Sequence, residues 1–96
     1  MGVRIINLLI QHYAMTQVQF NNALLGVKKK LHYYALSLTS DSEKADDLLQ
    51  ETMLKALTYR DKFKPNTNFK AWIYTIMKNT FINDYRRSVK TRNTFD

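Results

Sequence analysis

Residues 69–87 decide the fold, and they read Phe-Lys-Ala-Trp-Ile-Tyr-Thr-Ile-Met-Lys-Asn-Thr-Phe-Ile-Asn-Asp-Tyr-Arg-Arg. Apolar side chains recur in this stretch at steps of three and four residues, which predicts one helix with a buried side. The expected inner stripe comprises Phe69, Trp72, Ile73, Ile76, Met77 and Thr80. Rings, amides and cations fill the positions between, and the helix is expected either to continue or to bend through Phe81, Ile82 and Tyr85.

Two apolar stripes with the same helical spacing precede this segment. The first comprises Phe20, Leu24, Val27, Leu31, Tyr34 and Leu38, and the second comprises Ala45, Leu48, Leu49, Thr52, Met53, Ala56 and Leu57. Residues 39–42 offer helix caps between the two stripes, and the segment around Pro65 should end the second helix and start the third near Thr67 or Asn68. The sequence therefore predicts an all-α fold, a compact helical bundle of three main helices around one core, with the third either continuous or split.

The chain has 96 residues, which suffices for one small domain. We interpret residues 1–14 as an N-terminal extension and residues 15–96 as the domain, with a frayed polar tail from Val89 to Asp96. The extension is too short to span a bilayer and lacks the cleavage site of a signal peptide. Two origins stay open for it: an upstream start that precedes Met15, or an irregular extra helix.

Charge is divided unevenly along the chain. Lys and Arg total 15 against 8 Asp and Glu, which gives a formal net charge of +7 and a pI near 9.8. Residues 41–51 hold five of the acids, whereas residues 62–92 hold eight bases interleaved with aromatic rings. Such a basic block favours a nucleic-acid partner, and a solvated basic surface is the alternative explanation.

The sequence does not predict an enzyme, a metal site or another cofactor. Cys is absent, which excludes disulfides and thiolate metal sites and fits a reducing compartment, and His12 and His32 are isolated. We find no Gly-rich phosphate loop, no His-Glu-x-x-His motif and no nucleophilic Ser with a His partner. The acidic group Asp46, Asp47 and Glu51 could hold a divalent cation, but a solvated acidic surface near a helix N-terminus explains it better.

Two motifs, in this order, resemble a known family. Residues 47–53 read Asp-Leu-Leu-Gln-Glu-Thr-Met, and after a short loop follow Phe69-x-x-Trp72-Ile73-x-x-Ile76-x-x-Asn79 and Asp84-x-x-Arg87. This combination resembles region two of bacterial sigma factors of the sigma-70 family. More narrowly, it is similar to the extracytoplasmic-function (ECF) group, in a form associated with Bacteroidetes-type bacteria. The resemblance covers about residues 17–92, and either motif alone would be a weak signal.

The resemblance implies two contact surfaces. In that family the first motif binds the clamp helices of the β′ subunit of core RNA polymerase, which assigns docking to Asp47, Gln50 and Glu51. The second motif and its continuation bind the non-template strand of the promoter minus-ten element as the duplex melts. The residues implied in DNA contact are Trp72, Tyr74, Lys78, Asn79, Thr80, Asn83, Arg86, Arg87 and Lys90, with Arg92 as a further phosphate contact. Asn79 matches the position whose loop forms a pocket for one flipped base.

The resemblance also implies a non-catalytic, cytoplasmic transcription initiation factor without membrane insertion, and an anti-sigma factor as a further candidate partner. The chain departs from the family pattern in two respects. Trp72 is followed by Ile73 where housekeeping sigma factors have two adjacent Trp, so we expect a weaker melting wedge and stricter promoter choice. The chain also stops at Asp96, before the helix-turn-helix domain that reads the minus-35 element, so we expect a truncated or excised domain.

Two questions stay open from the residues alone. A protein-interaction module or a small RNA-binding bundle would also present acidic and basic surfaces, although Asn79 beside Arg86 and Arg87 favours nucleic acid. Trp72 fits both a core position and a DNA-facing position, whereas Phe69 is expected in the core.

Overall fold

The computed structural model describes residues 16–64 and 67–95. In that part of the chain three α-helices follow one another: α1 (Gln17–Thr39), α2 (Ser42–Thr58) and α3 (Phe69–Phe95), with a short 3-10 turn at Arg60–Lys62 between α2 and α3. The predicted all-α fold is confirmed. The proposed N-terminal extension, residues 1–14, lies outside the described residues.

Each helix begins at a side chain that accepts a hydrogen bond from the backbone of its first turn. At α1, Thr16 Oγ1 accepts from the Gln19 amide at 3.1 Å, and Gln19 Oε1 accepts from the Thr16 amide at 3.0 Å. Asp41 Oδ1 caps α2 in the same way at 3.1 Å, and Asn68 Oδ1 accepts from the Ala71 amide at 3.2 Å. These caps satisfy amides that have no partner inside the helix, and the last two confirm the predicted starts of α2 and α3.

Two predicted boundaries are wrong. α2 ends at Thr58, well before Pro65, because the chain tightens into a 3-10 turn as it often does at helix ends. α3 runs without a break to Phe95, whereas the sequence predicted a frayed tail from Val89. No Pro or Gly interrupts residues 69–95, so helical hydrogen bonding propagates once the buried first turns have formed.

The core lies where the three helices meet. Its buried members are Phe20, Leu24, Leu31 and Ala35 from α1, Ala45, Leu48, Leu49, Thr52 and Ala56 from α2, Ile73, Met77 and Thr80 from α3, and Phe63 from the segment before α3. Three of these are alanines with 0% exposure, which lets the helix backbones approach closely. Leu57, predicted for the inner stripe of α2, is instead 45% exposed. It lies about 100° around the helix from the buried Ala56 and so turns out of the contact with α3.

None of the described helices is long and apolar enough to cross a membrane.

Candidate nucleic-acid interface and docking surface

α3 carries a row of polar and aromatic side chains on the side away from the core. Its members follow at steps of three and four residues, which keeps them on one side of a continuous helix. The row begins at the capping residue and comprises Asn68, Trp72, Thr75, Asn79, Asn83, Arg86 and Lys90; we name it the outer stripe of α3. The centre of this stripe lies roughly 130° around the helix axis from the centre of the line that the buried Ile73, Met77 and Thr80 form. All its members are exposed except Trp72, which is half-buried.

Trp72 belongs to both the core and the surface. The centroid of its ring lies 5.2 Å from that of Phe63, 5.9 Å from that of Phe69 and 6.0 Å from that of Phe20. These are ordinary distances for favourable ring contacts, so the indole is anchored by α1 and by the segment before α3. Because the residue is only half-buried, part of the ring stays accessible. An anchored and partly exposed ring is a platform on which an unstacked base can stack.

An open cleft of about 380 Å³ adjoins Trp72 at the start of the outer stripe. Its lining residues are Lys62, Lys64, Thr67, Asn68, Ala71, Trp72 and Thr75. The cleft is open to solvent, and its indole, amide, hydroxyl and ammonium groups suit a planar ring that is joined to an anion. The sequence-based list of DNA contacts includes Trp72 and none of the other residues that line this cleft. Asn68 lies four residues before Trp72 and Thr75 lies three residues after it, and this helical spacing could have identified both from the sequence.

Besides the buried Thr80, three predicted DNA contacts lie off the outer stripe. Tyr74 packs edge-on against Tyr34 of α1 with ring centroids 5.1 Å apart, and Lys70 Nζ lies 5.6 Å from the centroid of the Tyr74 ring. Lys78 is exposed on another side of α3. Arg87 is exposed beyond the buried part of the helix, close to the line that the buried residues follow.

Two further expectations about α3 disagree with the structure. Thr80 is only 1% exposed, and its Oγ1 accepts a hydrogen bond from Lys55 Nζ at 3.0 Å, so its hydroxyl lies in the helix interface rather than on the surface. The resemblance matched Asn79 to a position in a loop, but Asn79 is an exposed residue within the continuous α3, as the helical spacing of residues 69–87 predicted. A base that meets Asn79 would therefore meet a side chain on a helix and not a loop pocket.

α2 presents a second candidate surface. Asp47 and Gln50 are exposed, as predicted for outward-facing groups, and Glu51 is half-buried. Leu54 and Leu57 continue the same side of the helix and are 65% and 45% exposed. We name these five residues the docking surface of α2. Exposed leucines beside acids and an amide are typical of a protein interface. Leu54 and Leu57 lie four and seven residues after Gln50, and this helical spacing could have predicted their position on the same side of α2.

The carboxyl group of Glu51 lies between a cation and an acid. Burial raises the pKa of Glu51 above its ordinary value, and the hydrogen bond and charge of Asp84 on α3 raise this pKa further. Lys55 lowers it, since Lys55 Nζ lies 3.6 Å from Glu51 Oε1. The Glu51 side chain is 39% exposed, so water screens these effects. Glu51 thus connects the docking surface of α2 to α3.

No group of three or more His, Asp or Glu side chains in residues 16–64 and 67–95 lies close enough to hold a metal ion. His32 instead lies beside Asp46, with 3.1 Å between Nε2 and Oδ1, and this contact joins α1 to α2.

The sequence matches a known protein family over most of its length. Residues 26–91 match the family model of Sigma-70 region 2. This range includes all of α2 and the outer stripe of α3. The chain therefore belongs to the sigma-70 region 2 family.

Individual relatives agree with this assignment. The ECF RNA polymerase sigma factor EcfG of Rhodopseudomonas palustris (strain TIE-1) is 44% identical over 64 residues, which cover 67% of this chain and 35% of that protein. The ECF RNA polymerase sigma factor SigL of Mycobacterium tuberculosis (strain ATCC 25618 / H37Rv) is 39% identical over 61 residues, which cover 62% of this chain and 34% of that protein. The sigma factor RpoE from Bartonella quintana, solved in complex with the anti-sigma factor NepR, aligns with a TM-score of 0.73 at 38% identity, over 76% of this chain and 46% of that chain.

These similarities confirm the predicted sigma region-two fold and the resemblance to the ECF group. The Bacteroidetes-type form stays a prediction. The chain spans about a third of the length of the curated relatives named above.

Proposed function

We propose that this domain is the region-two part of a transcription initiation factor, which docks on core RNA polymerase through α2 and holds the melted non-template strand of the promoter minus-ten element on α3. The outer stripe of α3 carries the proposal, because it aligns a partly exposed ring, amides and cations on one side of a single helix. The names of the relatives, RNA polymerase sigma factors, support it. In this proposal the domain is non-catalytic and acts in the cytoplasm.

On the DNA side, stacking, base reading and phosphate contact fall to different residues. Trp72 and its cleft would receive an unstacked base, and stacking on an aromatic ring contributes about 1 to 3 kcal/mol per base. Asn79 and Asn83 supply amides that can hydrogen-bond to base edges. Arg86 and Lys90 follow along the stripe and would neutralise phosphates, which sets the register of the strand.

The other predicted contacts take supporting roles in this proposal. Lys78, Arg87 and Arg92 add positive charge around the bound strand without lying on the outer stripe. Tyr74 holds α3 against α1 through its contact with Tyr34.

On the polymerase side, we propose the β′ clamp helices as the partner of the docking surface of α2. Asp47, Gln50 and Glu51 would meet cationic and polar groups, while Leu54 and Leu57 would become buried. Buried apolar anchors surrounded by polar contacts are the usual source of affinity in such interfaces. An anti-sigma factor is a further proposed partner, since the Bartonella quintana relative was solved in complex with one.

A binding titration with core RNA polymerase tests the docking half of the proposal. Asp47→Ala/Leu54→Ala removes one acid and one leucine of the docking surface. Its matched control, Leu25→Ala/Asp61→Ala, removes an exposed leucine and an exposed acid from other parts of the chain. We expect the docking variant to bind at least about tenfold more weakly and the control to bind like the parent chain. Equal affinities of the two variants would contradict docking through α2.

A second titration tests the DNA half. Single-stranded non-template minus-ten DNA, a scrambled DNA and an RNA of the minus-ten sequence are titrated against the chain bound to core RNA polymerase. We expect the minus-ten DNA to bind most tightly. Equal binding of the RNA would favour the RNA-binding alternative, and an absence of binding to all three would favour a protein-interaction module.

A further inference from the structure

A lysine of α2 reaches across to a buried hydroxyl group of α3. Lys55 Nζ donates to Thr80 Oγ1 at 3.0 Å, and Thr80 is only 1% exposed. The same ammonium group lies 3.6 Å from Glu51 Oε1 on its own helix. Lysine side chains usually keep the charged head in water. Here the head is directed to one oxygen atom of a neighbouring helix.

The buried contacts that surround this hydrogen bond are mostly apolar. Leu48 and Ala56 of α2 belong to the same core cluster as Ile73 and Met77 of α3. Apolar burial is non-directional, whereas a hydrogen bond weakens steeply away from its preferred distance and angle. The hydrogen bond between Lys55 and Thr80 therefore adds a directional restraint on the rotational setting of α3 about its axis to the packing of these apolar side chains.

This rotational setting matters because Thr80 directly follows Asn79. Side chains of a helix extend about 5 to 6 Å from its axis, so a rotation of about 20° moves the Asn79 side chain by about 2 Å. Hydrogen bonds occupy a range of only about 0.5 Å in donor–acceptor distance. A displacement of about 2 Å would therefore separate Asn79 from a base edge that it contacts.

We infer that Lys55 is a positioning residue, which acts through Thr80 to set the rotation of α3 and thereby the base discrimination of Asn79 and Asn83. This inference rests on the proposed function. Lys55 itself contacts no base in this arrangement. Because it also pairs with Glu51, it joins the docking surface of α2 to Thr80, the residue that follows Asn79 of the outer stripe.

Variants at both ends of the hydrogen bond test the inference. Lys55→Met removes the donor, Thr80→Val removes the acceptor, and both keep the approximate shape of the side chain. Lys55→Arg retains a cationic donor. Lys30→Met is the matched control, because it removes the same charge from an exposed position of α1.

Each chain, bound to core RNA polymerase, is titrated with minus-ten oligonucleotides that differ at one base, and the ratio of the Kd values measures discrimination. Circular dichroism verifies folding, and Thr80→Val decides the outcome if Lys55→Met does not fold.

We expect Lys55→Met and Thr80→Val each to lose about five- to tenfold in discrimination, with the salt dependence of binding unchanged. The double variant should lose no more than either single variant, because both changes break the same bond. Lys55→Arg should keep most of the discrimination, and Lys30→Met should keep all of it.

Four results would overturn the inference. A uniform loss of affinity for all oligonucleotides, with a flatter salt dependence, would show that Lys55 contacts phosphate. A similar loss of discrimination in Lys30→Met would show that net charge alone is responsible. Unchanged discrimination in folded Lys55→Met and Thr80→Val would overturn the inference and leave the proposed function intact. A parent chain that does not discriminate among the oligonucleotides would overturn both.

Discussion

α2 and α3 have similar inner sides and different outer sides. Toward the core, each helix buries aliphatic side chains together with one threonine, Thr52 in α2 and Thr80 in α3. Toward the outside, α2 presents acids, an amide and leucines, whereas α3 presents an indole, amides and cations. The inner sides of both helices pack into the same core, whereas the outer sides differ in the chemical groups that they offer to a partner.

Charge alone does not distinguish the two outer sides. Acids near the start of α2 and bases near the end of α3 also stabilise the helices through their macrodipoles. The uncharged residues are more informative. Leu54 and Leu57 expose apolar surface on α2, and Asn79 and Asn83 are weak helix formers within α3. Side chains that are locally unfavourable indicate an external partner.

The largest effect is expected at Trp72, where the distinction between inner and outer sides is least sharp. Trp72→Ala should lower the free energy of unfolding by about 2 to 3 kcal/mol, less than for a fully buried aromatic residue, because the ring is half-buried. It should also weaken minus-ten binding. Trp72→Phe keeps a ring in the cluster and should recover most of the stability. Urea unfolding and oligonucleotide titration measure the two losses. A loss of stability without any loss of binding would assign Trp72 to the core alone.

The second largest effect is expected at Asn79, where base preference and thermal stability should respond differently to one substitution. Asn79→Ala should reduce the preference for one base of the minus-ten element by about 1 to 3 kcal/mol. The thermal stability should stay the same or rise slightly, since Ala is the better helix former. Asn22→Ala, at an exposed position of α1, is the control and should leave the preference unchanged. Titrations with single-base variants provide the measurement. If Asn79→Ala weakens binding to every sequence equally, Asn79 does not read a base.

A third and smaller effect tests the outer stripe through two neighbouring arginines, of which only Arg86 lies on it. Arg86→Ala should flatten the slope of log K against log salt by about 0.7 for each phosphate of the single strand that the variant no longer neutralises. Arg87→Ala should flatten this slope less. Titrations of single-stranded minus-ten DNA at several salt concentrations give both slopes. Equal flattening by both substitutions would mean that the strand does not follow the outer stripe.

The smallest effect concerns Glu51 in the docking surface of α2. Because its pKa is raised in the folded chain, chiefly by burial and then by Asp84, the folded state keeps this proton to a higher pH than the unfolded state does. Ionisation of Glu51 therefore opposes folding, and its unfavourable contribution should develop as the pH rises above 4.5 and remain at neutral pH.

Glu51→Gln should accordingly raise the free energy of unfolding at neutral pH by no more than about 0.5 kcal/mol, since solvent screens a side chain that is 39% exposed. It should also flatten the pH dependence of stability above 4.5. Thermal unfolding of parent and variant over this range provides the comparison. A lower stability of Glu51→Gln at neutral pH would show that the ion pair with Lys55 outweighs burial and the repulsion from Asp84.

The sequence by itself determined the three helices and their inner stripes, and it located the helix starts within residues 39–42 and near Thr67 or Asn68. These features depend on interactions within three or four residues along the chain, and such interactions follow from residue spacing alone. The two motifs also determined the family, and among the residues that the resemblance assigned to DNA contact, Trp72, Asn79, Asn83 and Arg86 follow one another at helical spacing.

Only the tertiary structure decided which residues of each stripe are buried and which helices are joined by polar contacts. Leu57 is exposed although periodicity placed it on the inner stripe of α2, and Thr80, which the resemblance assigned to DNA contact, is buried, because burial depends on where the neighbouring helix lies. Lys55 and Thr80 are 25 residues apart in sequence and meet only because α2 packs against α3. The helix α3 is continuous, and this continuity aligns Asn68 and Thr75 with the predicted DNA contacts. Its exposed end depends on the tertiary structure as well, because helix formation propagates from the packed first turns of α3.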